Sequence, residues 1–186
     1  MSRVLAKRAL QPHPLSQPSA FTVGAVVSRV GSDVLKIDYA VVGPIGDLRL
    51  PAPIIPDRRE GLWRHTCFEA FVGFADGKSY VEYNASPSRE YAAFRFEGYR
   101  SGMQPALDLP ACDVYPEVPS DSRFGLTLWL DLLPLAGAVP RSLGVSAILE
   151  QLDGRISYWA IAHPPGEPDF HHPDCFALEL PAAPAP

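Results

Sequence analysis

Apolar residues recur at every second position along several short stretches of this chain. The alternation is cleanest over residues 35–41 and 124–132, where every second residue is a large apolar or aromatic one. A period of two residues is typical of a β-strand with one buried face. Similar strand-like runs lie at residues 23–30, 67–74, 80–86, 91–96, 145–152, 155–162 and 176–180. The pattern therefore predicts about nine strands and few helices.

Residues typical of tight turns separate several of these runs. Asp76–Gly77 lies between two of them, and Asp153–Gly154 lies between two others. Asp-Gly between alternating runs indicates a two-residue hairpin. Counting outward from a two-residue turn at Asp153–Gly154 pairs Ile148 with Trp159. These turns predict that strands adjacent in sequence pair in antiparallel fashion.

The proline and glycine content favours an all-β fold. The chain contains 21 prolines and 14 glycines, and prolines interrupt helices and central strands. We therefore expect an antiparallel two-sheet β-sandwich of the immunoglobulin-like or jelly-roll type. Residues 21–180 are expected to form this single domain, residues 1–20 an extended N-terminal lead-in, and residues 181–186 a disordered proline- and alanine-rich tail.

Composition and charge narrow the class of protein. A chain of 186 residues with 47% hydrophobic residues can build one core. The net charge of −5 argues against a nucleic-acid partner, and no apolar run is long enough to span a membrane. The N-terminus is basic without the apolar core of a signal peptide, so a cytoplasmic protein is expected. The three cysteines are too few and too scattered for a framework of disulfide bonds. The sequence does not predict an oligomeric state.

Polar and aromatic side chains opposite the apolar strand faces are the candidate ligand-binding residues. If their strands are neighbours, one polar face is formed by Glu69, Glu82, Asn84, Arg95, Glu150 and Trp159. Carboxylate, amide and guanidinium groups can bond sugar hydroxyls, and an indole can stack on the apolar face of a pyranose. The alternative is an ordinary solvated sheet face, in which Glu69 and Arg95 form a structural ion pair.

Two further segments carry candidate chemistry. Trp63, in the segment GLWRHT, is either a stacking platform or a core residue. Histidines and aspartates concentrate in the segment HPPGEPDFHHPD, at His163, Asp169, His171, His172 and Asp174. A metal site is conceivable there, but the spacing matches no standard zinc pattern. A proline-pinned loop whose polar side chains cap backbone groups is the favoured interpretation.

Enzyme signatures are missing from the sequence. It contains no G-x-S-x-G elbow, no H-E-x-x-H and no phosphate-binding glycine loop. Glu69 and Glu82 could act as a glycosidase acid–base pair if their strands are adjacent. However, the closely spaced acids that many jelly-roll glycosidases carry on one strand are absent. A non-catalytic protein without a cofactor or metal is therefore expected.

Three long strings of this sequence resemble a known family. They are GLWRHTCFEAFV, SYVEYNASPSREYAAFRFEGYRSGM and SYWAIAHPPGEPDFHHPDCFAL. Together they resemble the DOMON-like proteins related to family-9 carbohydrate-binding modules. Within these, the chain is similar to a bacterial subgroup associated with UDP-N-acetylenolpyruvoylglucosamine reductase. The resemblance runs from about Leu10 to Leu180.

The resemblance implies a β-sandwich with a ligand site on one sheet or at its rim. By analogy, Trp63, Glu69, Glu82, Asn84 and Trp159 fall within the recurrent strings, and His163 lies at the rim. The leading hypothesis is a non-catalytic module that binds a carbohydrate or a related small polar ligand.

Two alternatives to a sugar module stay open. Relatives that bind haem use axial Met or His, for which Met103 with His163 or His171 are the candidates here. The other alternative is a structural or interaction protein with no small ligand, in which the polar face is a buried hydrogen-bond network.

Overall fold

The architecture is all-β. The computed structural model describes residues 2–17, 19–135 and 138–181. These residues form twelve strands: β1 Ser2–Pro12, β2 Thr22–Val30, β3 Val34–Val42, β4 Cys67–Phe74, β5 Tyr80–Ala85, β6 Tyr91–Phe96, β7 Gln104–Pro105, β8 Asp113–Pro116, β9 Arg123–Asp131, β10 Pro140–Glu150, β11 Ile156–Ala160 and β12 Leu178–Glu179. Short 3-10 helices lie at Ile45–Asp47, Leu62–Arg64, Leu133–Leu135 and Pro173–Cys175. Within the described ranges, no helix is long and apolar enough to cross a bilayer.

The strands pair in one continuous antiparallel path. Its order is β7-β6-β5-β4-β10-β11-β1-β2-β3-β9-β8, and β12 pairs with β10 beside this path. Strand β1 joins the two parts of the path, because residues 2–10 pair with β2 whereas Gln11 and Pro12 pair with β11. The predicted all-β, antiparallel class is confirmed. The described chain has twelve strands where nine were predicted, and all twelve belong to one connected sheet, whereas the sequence predicts two separate sheets.

The sheet curls around a shared apolar core. The Tyr39 ring of β3 lies 5.1 Å from the Phe68 ring of β4, and Phe68 lies 6.1 Å from Phe124 of β9. The Tyr39 hydroxyl also donates a hydrogen bond of 2.7 Å to the backbone oxygen of Glu69. The even-numbered residues of β4 therefore face this core. Its odd-numbered residues, including Glu69, face the opposite side.

Most strands with a strong period of two lie where the sequence predicts them. Strands β2 to β6 and β9 match their predicted runs to within one or two residues. The predicted lead-in differs, because Ser2–Pro12 is extended but also pairs as β1. The short strands β7 and β8 fall in a segment without a clear pattern. Residues 182–186 of the predicted tail lie outside the described residues.

The β10–β11 hairpin differs from the predicted one by a single residue. The Gln151 amide donates to the Arg155 carbonyl at 2.8 Å, which leaves a three-residue loop that ends at Gly154. Ile148 consequently pairs with Tyr158, and Trp159 pairs with Ala147. A shift of one residue moves every side chain of a strand to the other face of the sheet.

Candidate ligand-binding site

Two buried carboxyl groups lie on the face of β4 and β5 that points away from the main core. Glu69 lies opposite Asn84 in the β4–β5 pairing. The Asn84 amide donates to Glu82 Oε1 at 2.7 Å, and Ser146 Oγ of β10 donates to Glu69 Oε2 at 3.3 Å. Glu69 is 2% exposed, Glu82 5% and Asn84 0%. The pairing of β4, β5 and β10 therefore fixes both carboxyl groups.

A cavity of about 340 Å³ lies against these two carboxyl groups. Its volume falls within the range of small-molecule sites, roughly 300–1,000 Å³. Most of the other lining residues are aromatic or apolar, and Arg100 supplies the cation: Trp63, Phe71, Phe96, Arg100, Met103, Ile148, Tyr158, Pro168, Phe170 and His171. The cavity therefore combines an acidic floor with aromatic walls.

Trp63 borders the cavity from the segment that precedes β4. Gly61, with φ of +79°, begins the short 3-10 helix that contains Trp63. The indole meets Phe94 edge-on, with ring centroids 5.8 Å apart and planes at 78°. Trp63 is half-buried, so part of its ring packs on the sheet while the residue lines the cavity.

A chain of hydrogen bonds orients His171 toward the acidic floor. The Arg100 amide donates to the Tyr80 hydroxyl at 3.3 Å, and this hydroxyl lies 2.9 Å from His171 Nδ1. We assign the hydroxyl as donor to Nδ1, because this gives its proton an acceptor while its oxygen accepts from Arg100. The proton of a neutral His171 then lies on Nε2, which is 3.8 Å from Glu82 Oε2. These roles follow from the hydrogen-bond network.

Arg100 is the basic side chain that lines the cavity, and it already has an acidic partner. Its Nη2 and Nε lie 2.8 Å and 3.1 Å from Asp169 Oδ1. The Tyr99 hydroxyl donates to the other oxygen of Asp169. Arg100 also has a φ of +49°, which is uncommon for a residue with a side chain. The Asp169 contacts hold the guanidinium at this place.

Burial controls the protonation of the site. It raises the pKa of Glu82 to about 7, although the Asn84 hydrogen bond and the Arg100 charge oppose the shift. Burial is also the main cause that raises the pKa of Glu69 well above its usual value, and the charge of Glu82 is the second cause. Burial and Arg100 lower the pKa of His171 to about 4. The two carboxyl groups therefore retain a proton near neutral pH, while His171 is uncharged.

The structure brings together part of the predicted polar face. Trp63, Glu69 and Glu82 line one cavity. Asn84 lies directly behind Glu82 and supports it by a hydrogen bond. The remaining predicted residues are not among the lining residues: Arg95, Glu150, Trp159 and His163.

Two of these positions differ because of strand register. Trp159 is 3% exposed and belongs to the main core, since the three-residue loop turns its side chain away from the cavity. Arg95 pairs with Val81, so its side chain lies on the face opposite Glu82. Its guanidinium contacts Asp108 at 2.7 Å. The alternative ion pair between Glu69 and Arg95 is therefore wrong.

His163 lies beside the N-terminal strand instead of the cavity. Its Nε2 donates to the Gln11 carbonyl at 2.8 Å, and its ring lies 4.8 Å from that of His13. His171 lines the cavity, whereas His172 caps a short 3-10 helix by accepting from the Asp174 amide. The predicted capping role is thus confirmed for His172. In the described part of the chain, no three His, Cys, Asp or Glu residues cluster as metal ligands.

Sequence reasoning missed several residues of the cavity. Tyr158 is the neighbour of Trp159 on β11, and the correct register of the hairpin places Tyr158 instead of Trp159 on the cavity face. Arg100 and Phe170 lie in connections between strands, where alternation gives no signal. For His171 the sequence favours a backbone-capping role, with a metal or haem ligand as the alternatives, because it does not show that this loop folds over Tyr80 of β5.

Comparisons with known proteins relate the fold to carbohydrate-binding proteins. No protein-family model matches the sequence, and no curated protein matches it. The fold is similar to that of a candidate carbohydrate-binding protein from Bacteroides uniformis, with a TM-score of 0.66 and 11% identity over 92% of this chain and 84% of that one. It is also similar to a family-9 carbohydrate-binding module from Caldicellulosiruptor kristjanssonii in complex with cellotriose, with a TM-score of 0.50 and 9% identity over 87% and 75%.

At these identities the likeness concerns the fold alone. It supports the predicted relation to family-9 modules at that level. Membership of the DOMON-like proteins and the association with the reductase stay predictions.

Proposed function

We propose that this chain is a non-catalytic carbohydrate-binding module whose ligand enters the cavity of Trp63, Glu69 and Glu82. The observation that carries the proposal is one cavity with two buried carboxyl groups on its floor and aromatic side chains on its walls. Sugars need this combination, because they present hydroxyl donors at the ring edge and apolar C–H groups on the ring face.

Each group has a role that follows from its position. Glu82 Oε1 is occupied by Asn84. Within the described chain, no donor reaches Oε2 at hydrogen-bond distance, since His171 is 3.8 Å away. This oxygen can therefore accept from a ligand hydroxyl. Trp63 and Tyr158 offer ring surfaces, while Asn84 and Ser146 position the carboxyl groups without lining the cavity.

The shared fold supports this proposal by analogy. The Caldicellulosiruptor module was solved in complex with cellotriose, so a fold of this kind can hold a sugar. The analogy does not identify the sugar for this chain. Cellotriose is for this reason a first probe rather than the expected natural ligand.

The proposal is tested by calorimetry with cellotriose and by a glycan array, on the wild type and on Trp63→Ala. Losing a stacking ring should weaken binding by about tenfold or more, equivalent to about 1.4 kcal/mol. Trp63 is only half-buried, so the melting temperature should fall by less than after removal of a core tryptophan, and the fold should stay intact.

Trp129→Ala is the matched control for this substitution. Trp129 is also half-buried, but it lies on β9 beneath Lys36, with Nζ 5.8 Å from the ring centroid. This variant should bind as the wild type does. Absence of binding to every sugar of the array, or equal affinities for all three proteins, would contradict the proposed site.

The non-catalytic part of the proposal has its own test. Glu69 and Glu82 lie on adjacent strands, which is the arrangement that a glycosidase acid–base pair would require. We expect cellotriose and chromogenic glycosides to stay intact during long incubation with the protein. Release of glucose or chromophore that disappears in Glu82→Gln would instead establish a hydrolase.

Haem is the second candidate ligand, because Met103 and His171 line the same cavity. The carboxyl groups of Glu69 and Glu82 disfavour it, since an apolar macrocycle cannot satisfy buried acids. We expect the visible spectrum of added haem to remain that of free haem. A shifted Soret band that depends on His171 would favour haem over sugar.

A further inference from the structure

Among the described residues, the two carboxyl groups on the cavity floor have no lysine or arginine partner. Glu69 and Glu82 face it from β4 and β5, and Arg100 faces it from the connection after β6. Arg100 is already paired with Asp169 at 2.8 Å. Within the described residues, no lysine or arginine nitrogen lies within 4.0 Å of either floor carboxyl group. The acidic floor therefore lacks a counter-ion of its own.

The walls of the cavity also favour a cation. The rings of Trp63, Phe71, Phe96, Tyr158 and Phe170 line it. Aromatic faces attract ammonium groups, and the attraction grows when the cation leaves water. An ammonium beside a buried carboxylate also compensates the cost of desolvating that carboxylate. Rings and carboxyl groups together match a ligand that carries both hydroxyl groups and a positive charge.

We propose that this cavity selects an amino sugar with a free, protonated amine over the neutral or N-acetylated sugar of the same skeleton. This inference rests on the proposed function and specifies its ligand class. The amine would occupy the space beside Glu82 Oε2, the oxygen left without a donor. The ring of the sugar would lie against Trp63 or Tyr158.

Binding of such a ligand should release protons. The ionisable groups around the floor are Cys67, Glu69, Tyr80, Glu82, Arg100, Asp169 and His171. Among them, the carboxyl groups of Glu69 and Glu82 retain a proton near neutral pH because burial raises their pKa values. A cation favours the ionised carboxylate, so its arrival lowers these pKa values and expels the proton. A neutral sugar offers no charge that would do so.

Three disaccharides of one skeleton test the inference: cellobiose, N,N′-diacetylchitobiose and chitobiose with free amines. Titration at about pH 6 keeps the amines protonated. Chitobiose should bind about tenfold more tightly than cellobiose. Repeating the titration in buffers of different ionisation heats should show release of about one proton with chitobiose and almost none with the other two.

Substitutions assign the preference to the floor. Glu82→Gln and Glu69→Gln keep the shape of the side chains and should bring chitobiose close to the affinity of cellobiose. Glu167→Gln removes an exposed carboxylate from the neighbouring recess beside Tyr158 and should preserve the preference. Because Glu69→Gln and Glu82→Gln are tested separately, the experiment remains informative if one of the two variants fails to fold.

The outcomes separate this inference from the proposed function. Cellobiose bound as tightly as chitobiose, without proton release, would overturn the preference for an amine and keep the sugar site. Failure of all three disaccharides and of the glycan array would overturn both. If Glu167→Gln abolishes the preference for chitobiose as fully as Glu82→Gln does, the preference comes from the net negative charge of the protein. That result would overturn the role of the floor.

Discussion

Glu82 lies in an environment unlike that of an ordinary strand glutamate, because its carboxyl group is buried. Burial raises its pKa from 4.5 to about 7, so ionisation is harder in the folded protein than in the unfolded chain. Its contribution to stability is therefore complete below the unfolded pKa and is lost as the pH rises through about 7. The buried carboxyl of Glu69, whose pKa is also raised, acts in the same direction.

We therefore predict that the ligand-free wild type loses stability relative to Glu82→Gln between about pH 5 and pH 8, by at most about 3 kcal/mol. His171, whose pKa is lowered to about 4, acts in the opposite direction in both proteins up to about pH 6.5, so the comparison with Glu82→Gln, which cannot ionise, isolates the contribution of Glu82. Denaturant unfolding at several pH values measures the effect, with Glu167→Gln as the exposed control. Equal pH dependence of stability in the wild type and in Glu82→Gln would contradict the buried state of Glu82.

At the scale of elements, the β10–β11 hairpin shows how one residue decides a site. The sequence indicates a turn at Asp153–Gly154, and the turn is there. The loop nevertheless contains three residues, with Gly154 at φ of +87°, which is the glycine-requiring position of a three-residue hairpin loop. Alternation in the flanking strands is compatible with either loop length. The sequence therefore predicted the strand but placed Trp159 on the wrong face.

This hairpin gives a backbone prediction. Gly154→Ala should cost about 1–2 kcal/mol, since an alanine resists a positive φ, and nothing lies within 4 Å of the added methyl group. Gly46→Ala is the control. Its added methyl group also meets nothing within 4 Å, but the φ of Gly46 is not positive. Unfolding in urea compares the two. Equal stabilities of both variants would contradict the assigned loop.

Strand β1 was missed for a different reason. Of its eleven residues, Leu10 alone is buried, with Leu5 and Ala6 half-buried. Such a strand shows almost no period of two, although it lies between β11 and β2. Its pairing is decided by backbone hydrogen bonds and by the space that its neighbours leave. Neither property is visible in the apolar pattern of the strand itself.

At the scale of the whole molecule, the cavity needs segments that are far apart in sequence. Strands β4 and β5 supply Glu69 and Glu82, and their adjacency follows from the Asp76–Gly77 turn. Trp63, Arg100 and Phe170 reach the cavity from connections. The floor was therefore predictable from alternation and one hairpin. The rest was not, because a period of two shows which way a side chain points but not which connection folds over it.

The three cysteines test whether this assembly unfolds as a unit. Cys67, Cys112 and Cys175 are free and at most 4% exposed. Burial raises the pKa of Cys112 and Cys175 to about 12, and that of Cys67 well above its usual value. Thiolates are the reactive form, so no thiol should react with an aqueous disulfide reagent in the native protein.

All three thiols should react once the chain is unfolded. Cys112 packs in the core shared by both parts of the sheet, whereas Cys67 packs beneath the cavity. If the curled sheet unfolds cooperatively, both thiols become reactive at the same urea concentration, which coincides with the change in tryptophan fluorescence. Single-cysteine variants with alanine at the other two positions separate the signals. Reaction of Cys67 well below the fluorescence transition would show that the part of the sheet beside the cavity opens on its own, and would contradict cooperative unfolding of the curled sheet.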